Sequence, residues 1–165
     1  MHIGESFVGS GPNAAHINVL IGPRQGPVGQ ALANSLAAPR LGYIPFMTCL
    51  KPNVPVKPAT LFVAKADLRG ETHENMTWGP AQAGVAKGVQ ECLLEGLLPP
   101  EAENEWAVVA AVWVNWSADN AQEVFANNHR ATREAIARAM RNLPSLAEAA
   151  EASRQPANPF FDSAA

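Results

Sequence analysis

The chain has 165 residues, of which 47% are hydrophobic and 16% charged, with a formal net charge of -3 at pH 7. This length and composition suit one domain with its own core and exclude a disordered chain. The weakly acidic balance, with no basic patch and no run of like charge, argues against nucleic acid as a partner.

The N-terminal residues Met1-His2-Ile3-Gly4-Glu5 contain no basic segment leading into an apolar run. They read as no signal peptide, no stretch is apolar enough to span a bilayer, and a cytoplasmic location is expected. Ala15–Ile21 is short, β-rich and punctuated by Gly22-Pro23, so a strand is predicted there. From Gly26 to Ala38, Val28, Leu32 and Leu36 fall on one helical face, and Pro39 and Gly42 close that helix. A second strand is predicted over Tyr43–Leu50. In Lys51–Pro58, Pro52, Pro55 and Pro58 exclude helix and central strand, leaving an extended loop. Thr60–Asp67 reads as a strand. Gly79-Pro80 is predicted to open a helix running to Leu97, with Val85, Val89, Cys92, Leu93 and Leu97 at helical spacing. Gly84 and Gly88, one turn apart, suit a close backbone approach. Trp106–Trp116 is the most apolar segment and is expected at the centre of a sheet. Ser117 is predicted to cap a last long helix, Ala118–Asn142. Residues 1–143 then form one domain, and 144–165 are an alanine- and proline-rich extension. This order of elements predicts an α/β two-layer sandwich, one sheet with helices on one face. Its open face needs a cover, and subunit contacts are a natural one.

Few residues offer chemistry. Cys49 and Cys92 fit no metal or redox spacing. Their apolar neighbours suit buried reduced thiols, with a disulfide as the alternative the sequence leaves open. A lone strand histidine is more often structural than catalytic, but alternation places His16 with Asn18 opposite the apolar face of Ile17, Val19 and Ile21. Lys65 and Asp67 share one parity of their strand, which alone reads as a solvated charge pair. Gln82 sits in the first turn of its helix, where it is ordinarily a surface residue. No phosphate loop, paired-cysteine zinc site or nucleophile elbow is present.

Several segments taken together carry a resemblance. They are Gly4-Glu5-Ser6-Phe7-Val8-Gly9, Ala15-His16-Ile17-Asn18, Ile21-Gly22-Pro23-Arg24, Lys57-Pro58-Ala59-Thr60-Leu61, Lys65, Trp78-Gly79-Pro80-Ala81-Gln82, Trp116 and Asn158-Pro159-Phe160. In order and spacing the chain resembles the formaldehyde-activating enzyme family. The resemblance implies a fold like ribosomal protein S5 domain 2 and assembly as a homopentamer with sites between subunits. It implies condensation of formaldehyde with tetrahydromethanopterin to the methylene derivative and water, without a metal. It places His16 as proton donor and Asn18, Met47, Lys65, Asp67 and Gln82 as substrate-binding residues. Three of these depart from the family pattern: Asn18 stands for aspartate, Met47 for leucine and Asp67 for threonine. One expectation is that Asp67 supplies, from across the site, the carboxylate missing at Asn18. The alternative to an efficient enzyme is a paralogue that binds a reduced pterin or senses formaldehyde.

Overall fold

The computed structural model describes residues 1–40 and 44–163. In chain order the elements are β1 (His2–Val8), a short 3-10 turn (Gly11–Asn13), β2 (Ala15–Pro23), α1 (Pro27–Leu36), β3 (Phe46–Met47), β4 (Cys49–Lys51), β5 (Val54–Pro55) and β6 (Ala59–Ala64). They continue with α2 (Gly70–Met76), a π-type turn (Thr77–Ala81), α3 (Gln82–Leu94), α4 (Ala102–Glu105), β7 (Trp106–Trp113), α5 (Ala121–Met140), α6 (Leu146–Ala152), β8 (Ala157–Asn158) and β9 (Phe161–Asp162).

A five-stranded sheet runs in the order β1-β2-β7-β6-β3. Only β6 and β7 pair in parallel; the other neighbours are antiparallel. β7 lies between β2 and β6, as its continuous apolar run requires. One sheet face carries Ile17, Val19 and Ile21 of β2, Phe62 of β6 and Val108, Ala110 and Val112 of β7, packed on Val85 and Val89 of α3 and Val124, Ala135 and Ile136 of α5. This is the expected two-layer α/β sandwich, and its large apolar core is the main stabilising term. α3 and α5 meet where Gly84 and Gly88 face α5. A Cβ on Gly84 would stand 2.6 Å from the Phe125 carbonyl oxygen, and one on Gly88 3.0 Å from that of His129. The close approach expected of this glycine pair is therefore present.

The second face is not left wholly open. Val28 of α1 is buried there with Leu61, Val63, Ala107 and Val109, flanked by Leu20, Ala31, Leu32 and Met47. The helices thus lie on both faces rather than one. The same periodicity that predicted α1 gave it an apolar stripe, and that stripe packs on this second face.

Several boundaries move. β1, over His2–Val8, is an additional strand. The predicted strand from Tyr43 is two short pieces, β3 and β4, and Gly42 and Tyr43 lie outside the described residues. The proline-rich Lys51–Pro58 segment contains a small hairpin in which β5 pairs with β4, with Asn53 turning the chain at φ 65°. Gly79-Pro80 does not open a helix. The chain is already helical from Gly70, and Pro80 is absorbed in the π-type turn before α3. Asn120, not Ser117, caps α5: its side chain accepts from the Gln122 and Glu123 amides at 3.1 Å each. Ser117 is held back in a turn, where its amide donates to Asn115 Oδ1 at 2.9 Å. Both cysteines are free; Cys92 is buried and Cys49 partly so.

Candidate active site

Strand register sets out the second sheet face in rows. Phe7 of β1, His16 of β2 and Trp113 of β7 are direct cross-strand partners. The next row holds Glu5, Asn18, Ala111 and Val63. The third holds Ile3, Leu20, Val109, Leu61 and Met47. α1 packs over the third row, leaving the end that carries His16 free of helix. Lys65 follows β6 directly, its amide donating to the Val112 carbonyl at 2.8 Å, so it extends the parallel ladder toward the first row.

Over the uncovered end lies a cleft of about 450 Å³ lined by Phe7, His16, Asn18, Lys65, Trp113 and the C-terminal residues Asn158, Pro159 and Phe160. The last three belong to the tip of the β8–β9 hairpin, Asn158 ending β8 and Pro159 and Phe160 making the bend, where the Phe160 amide donates to Asn158 Oδ1 at 2.9 Å. Phe160 meets Trp113 edge-on, with ring centroids 6.1 Å apart. The cleft therefore has aromatic walls and a polar floor, the usual make-up of a small-molecule site.

Its polar groups are linked in pairs. Lys65 Nζ donates to Asn18 Oδ1 at 2.6 Å. His16 Nε2 lies 2.9 Å from Glu5 Oε1. Partial burial, and then the Lys65 ammonium, hold His16 below its ordinary 6.5, while Glu5 pulls it back up. Burial and the nearby ammonium thus favour the neutral imidazole over the charged one. Desolvation in the cleft brings Lys65 down to about 8, against an upward pull from Glu5.

Of the residues singled out from sequence, His16, Asn18 and Lys65 meet in this cleft. Met47 shares the sheet face but lies two rows away, in the apolar cluster beneath α1. Gln82 opens α3 in the opposite layer, where its Oε1 accepts from the Cys49 amide at 3.3 Å. Asp67 is exposed beyond the end of β6. Its backbone carbonyl accepts from Trp116 Nε1 at 2.9 Å, and it is not a lining residue. Glu5, Phe7, Trp113 and the Asn158–Phe160 bend complete the site without having been assigned to it from sequence. The signal for Glu5 and Phe7 was their place in the Gly4–Gly9 segment that carries the family resemblance. Among the described residues, no three His, Cys, Asp or Glu side chains are grouped to hold a metal ion.

The chain is 40% identical over 158 residues to the 5,6,7,8-tetrahydromethanopterin hydro-lyase of Methanosarcina barkeri, covering 96% of this chain and 89% of that protein. It is 36% identical to the bifunctional enzyme Fae/Hps of Methanococcoides burtonii, covering 88% of this chain and 37% of the relative. Against the Fae/Hps of Archaeoglobus fulgidus identity is 38%, over 87% of this chain and 36% of the relative. The chain thus spans only a little over a third of those bifunctional proteins. Residues 3–161 match the family model described as formaldehyde-activating enzyme, and the chain belongs to that family.

Proposed function

We propose that the protein joins formaldehyde to tetrahydromethanopterin and releases water, as a carbon–oxygen lyase of the hydro-lyase type. The observation that carries this is the meeting of His16, Asn18 and Lys65 in one aromatic-walled cleft. Family membership and the name of the Methanosarcina relative supply the substrates.

The chemistry suits the groups present. A pterin ring amine attacks the formaldehyde carbon, and its proton passes through His16 to the new oxygen, giving a carbinolamine. His16, reprotonated from solvent, donates to that hydroxyl, the C–O bond breaks and water leaves. The second amine closes on the iminium carbon and releases its own proton. The two protons lost by the amines balance the two in the water. A histidine that exchanges protons near neutral pH serves both steps, and holding both reactants in order supplies the rest without a covalent intermediate. Tetrahydromethanopterin is then a co-substrate, and the scheme calls on no metal.

Asn18 and Lys65 are assigned to the pterin's polar edge, and Trp113 and Phe160 to its rings. Met47, Asp67 and Gln82 are kept as substrate-binding residues contributed by a neighbouring subunit of a homopentamer, since within one chain they lie away from the cleft. Residues 1–143 form the domain that carries the reaction, and 144–165 are an extension that adds one wall. The location is cytoplasmic; no described helix is long and apolar enough to cross a membrane.

Formaldehyde and tetrahydromethanopterin, mixed with and without the protein, test the proposal: product must form well above the spontaneous rate. One observation favours a second reading. With the neutral Asn18 at the lysine, the ammonium has no anionic hydrogen-bond partner among the described residues, as a pterin-binding or formaldehyde-sensing paralogue would tolerate. A spontaneous rate with tight pterin binding by calorimetry would select that reading.

A further inference from the structure

We infer that Glu5 is the positioning residue of His16, holding the imidazole through Nε2 so that Nδ1 is the atom that exchanges protons with substrate. This rests on the reading of His16 as the proton-transfer group. The geometry begins in β1, the edge strand. Glu5 faces Asn18 directly and Phe7 faces His16, so Glu5 and His16 are diagonal neighbours on one face of an antiparallel pair, within reach of long side chains. The parity of β1 is fixed from behind, because Ser6 points the other way and its Oγ donates to Glu134 Oε2 of α5 at 2.8 Å. Glu5 is thereby committed to the cleft side.

A neutral imidazole has one N–H donor and one acceptor nitrogen. The Glu5 carboxylate can only accept, so at 2.9 Å it selects the tautomer with the proton on Nε2. Nδ1 is left with its lone pair, the form that takes a proton from an attacking amine. When the ring becomes imidazolium, the same carboxylate stabilises the added charge. This is the orienting role a third group plays beside a catalytic base.

The remaining groups around His16 define how its charge is tuned. Lys65, from the end of β6, opposes protonation, and Glu5, from β1, favours it. Phe7, Trp113 and the Asn158–Phe160 bend add no charge. With asparagine at position 18 and Asp67 away from the cleft, Glu5 is, among the described residues, the carboxylate that touches a lining side chain.

Glu5→Gln keeps the shape and an acceptor but removes the charge; Glu5→Leu removes both. The Glu5 side chain is 53% exposed on an edge strand, so both variants should fold. Nitrogen-15 NMR of the histidine rings should show His16 as the Nε2–H tautomer in the unaltered protein and in Glu5→Gln, and as a mixture in Glu5→Leu. Glu5→Gln should lower the His16 pKa by about one pH unit, move the acid limb of kcat with it, and cut kcat about tenfold with KM nearly unchanged. An unmoved His16 pKa, or the opposite tautomer in the unaltered protein, overturns the contact itself. A moved pKa with an unmoved limb and rate overturns the role of Glu5 in the reaction. His16→Ala is the companion variant. If it keeps full activity, the proton-transfer reading falls and takes the role of Glu5 with it; if it is inactive while Glu5→Gln is normal, only the role of Glu5 falls.

Discussion

Lys65 brings a titratable cation to the cleft, with its Nζ on Asn18 Oδ1 at 2.6 Å. Its folded pKa lies below the ordinary 10.5, at about 8, so the ammonium is complete well below pH 8 and lost above it. A pterin oxygen held by that charge should bind best near neutrality and progressively less as pH rises through 8. Lys65→Met should weaken binding about tenfold or more at pH 7, the usual size for a hydrogen bond to a charged group, and should remove this pH dependence. Calorimetric titration with the pterin across that range checks both. His16 is expected to act on rate rather than binding. His16→Ala should lower kcat by about two to four orders of magnitude while the pterin dissociation constant changes little, as single-turnover assays and calorimetry would show.

The elements that hold these residues differ in how openly the sequence declares them. β2 was legible to within two residues, expected over Ala15–Ile21 and found over Ala15–Pro23, because His16 and Asn18 alternate with Ile17, Val19 and Ile21, and the sheet places both sets on the faces so implied. The α3–α5 contact was legible too, from Gly84 and Gly88 alone. Gly84→Ala should cost about 1–3 kcal/mol through overpacking against the Phe125 carbonyl, measured as a lower urea midpoint with unchanged slope. β1 was missed because Gly4 and Ser6 on its inner side dilute the apolar signal. They suit that side because α5 packs tightly against it, a tertiary fact no local pattern carries. The helix before Pro80 was missed for a related reason: proline was read as a first-turn residue, whereas a wide turn accommodates it inside a longer rod. The β8–β9 hairpin left a motif but no element to attach it to. Its Phe160 edge contact with Trp113 makes it a wall of the cleft. Phe160→Ala should therefore weaken pterin binding about threefold to tenfold, in line with the worth of an aromatic pair, and leave His16 titration unchanged.

For the molecule as a whole, the incomplete cover of the second sheet face is the feature that bears on assembly. α1 covers Leu20, Leu61, Val63 and Val109 in the middle of that face, while Ile3 and Phe7 on β1 remain 58% and 38% exposed. An apolar edge strand beside a cleft lacking three of its expected residues fits a ring in which a neighbour supplies them. Mass photometry at micromolar concentration should report a pentamer, and a monomer would remove both the ring and the shared site. The alternation of β2 has a further consequence. A slip of one residue would drive His16 and Asn18 into the core and turn Ile17, Val19 and Ile21 out to water. The sheet therefore proofreads its own wiring. A molecule that retains its core therefore also turns its histidine to the cleft side of the sheet.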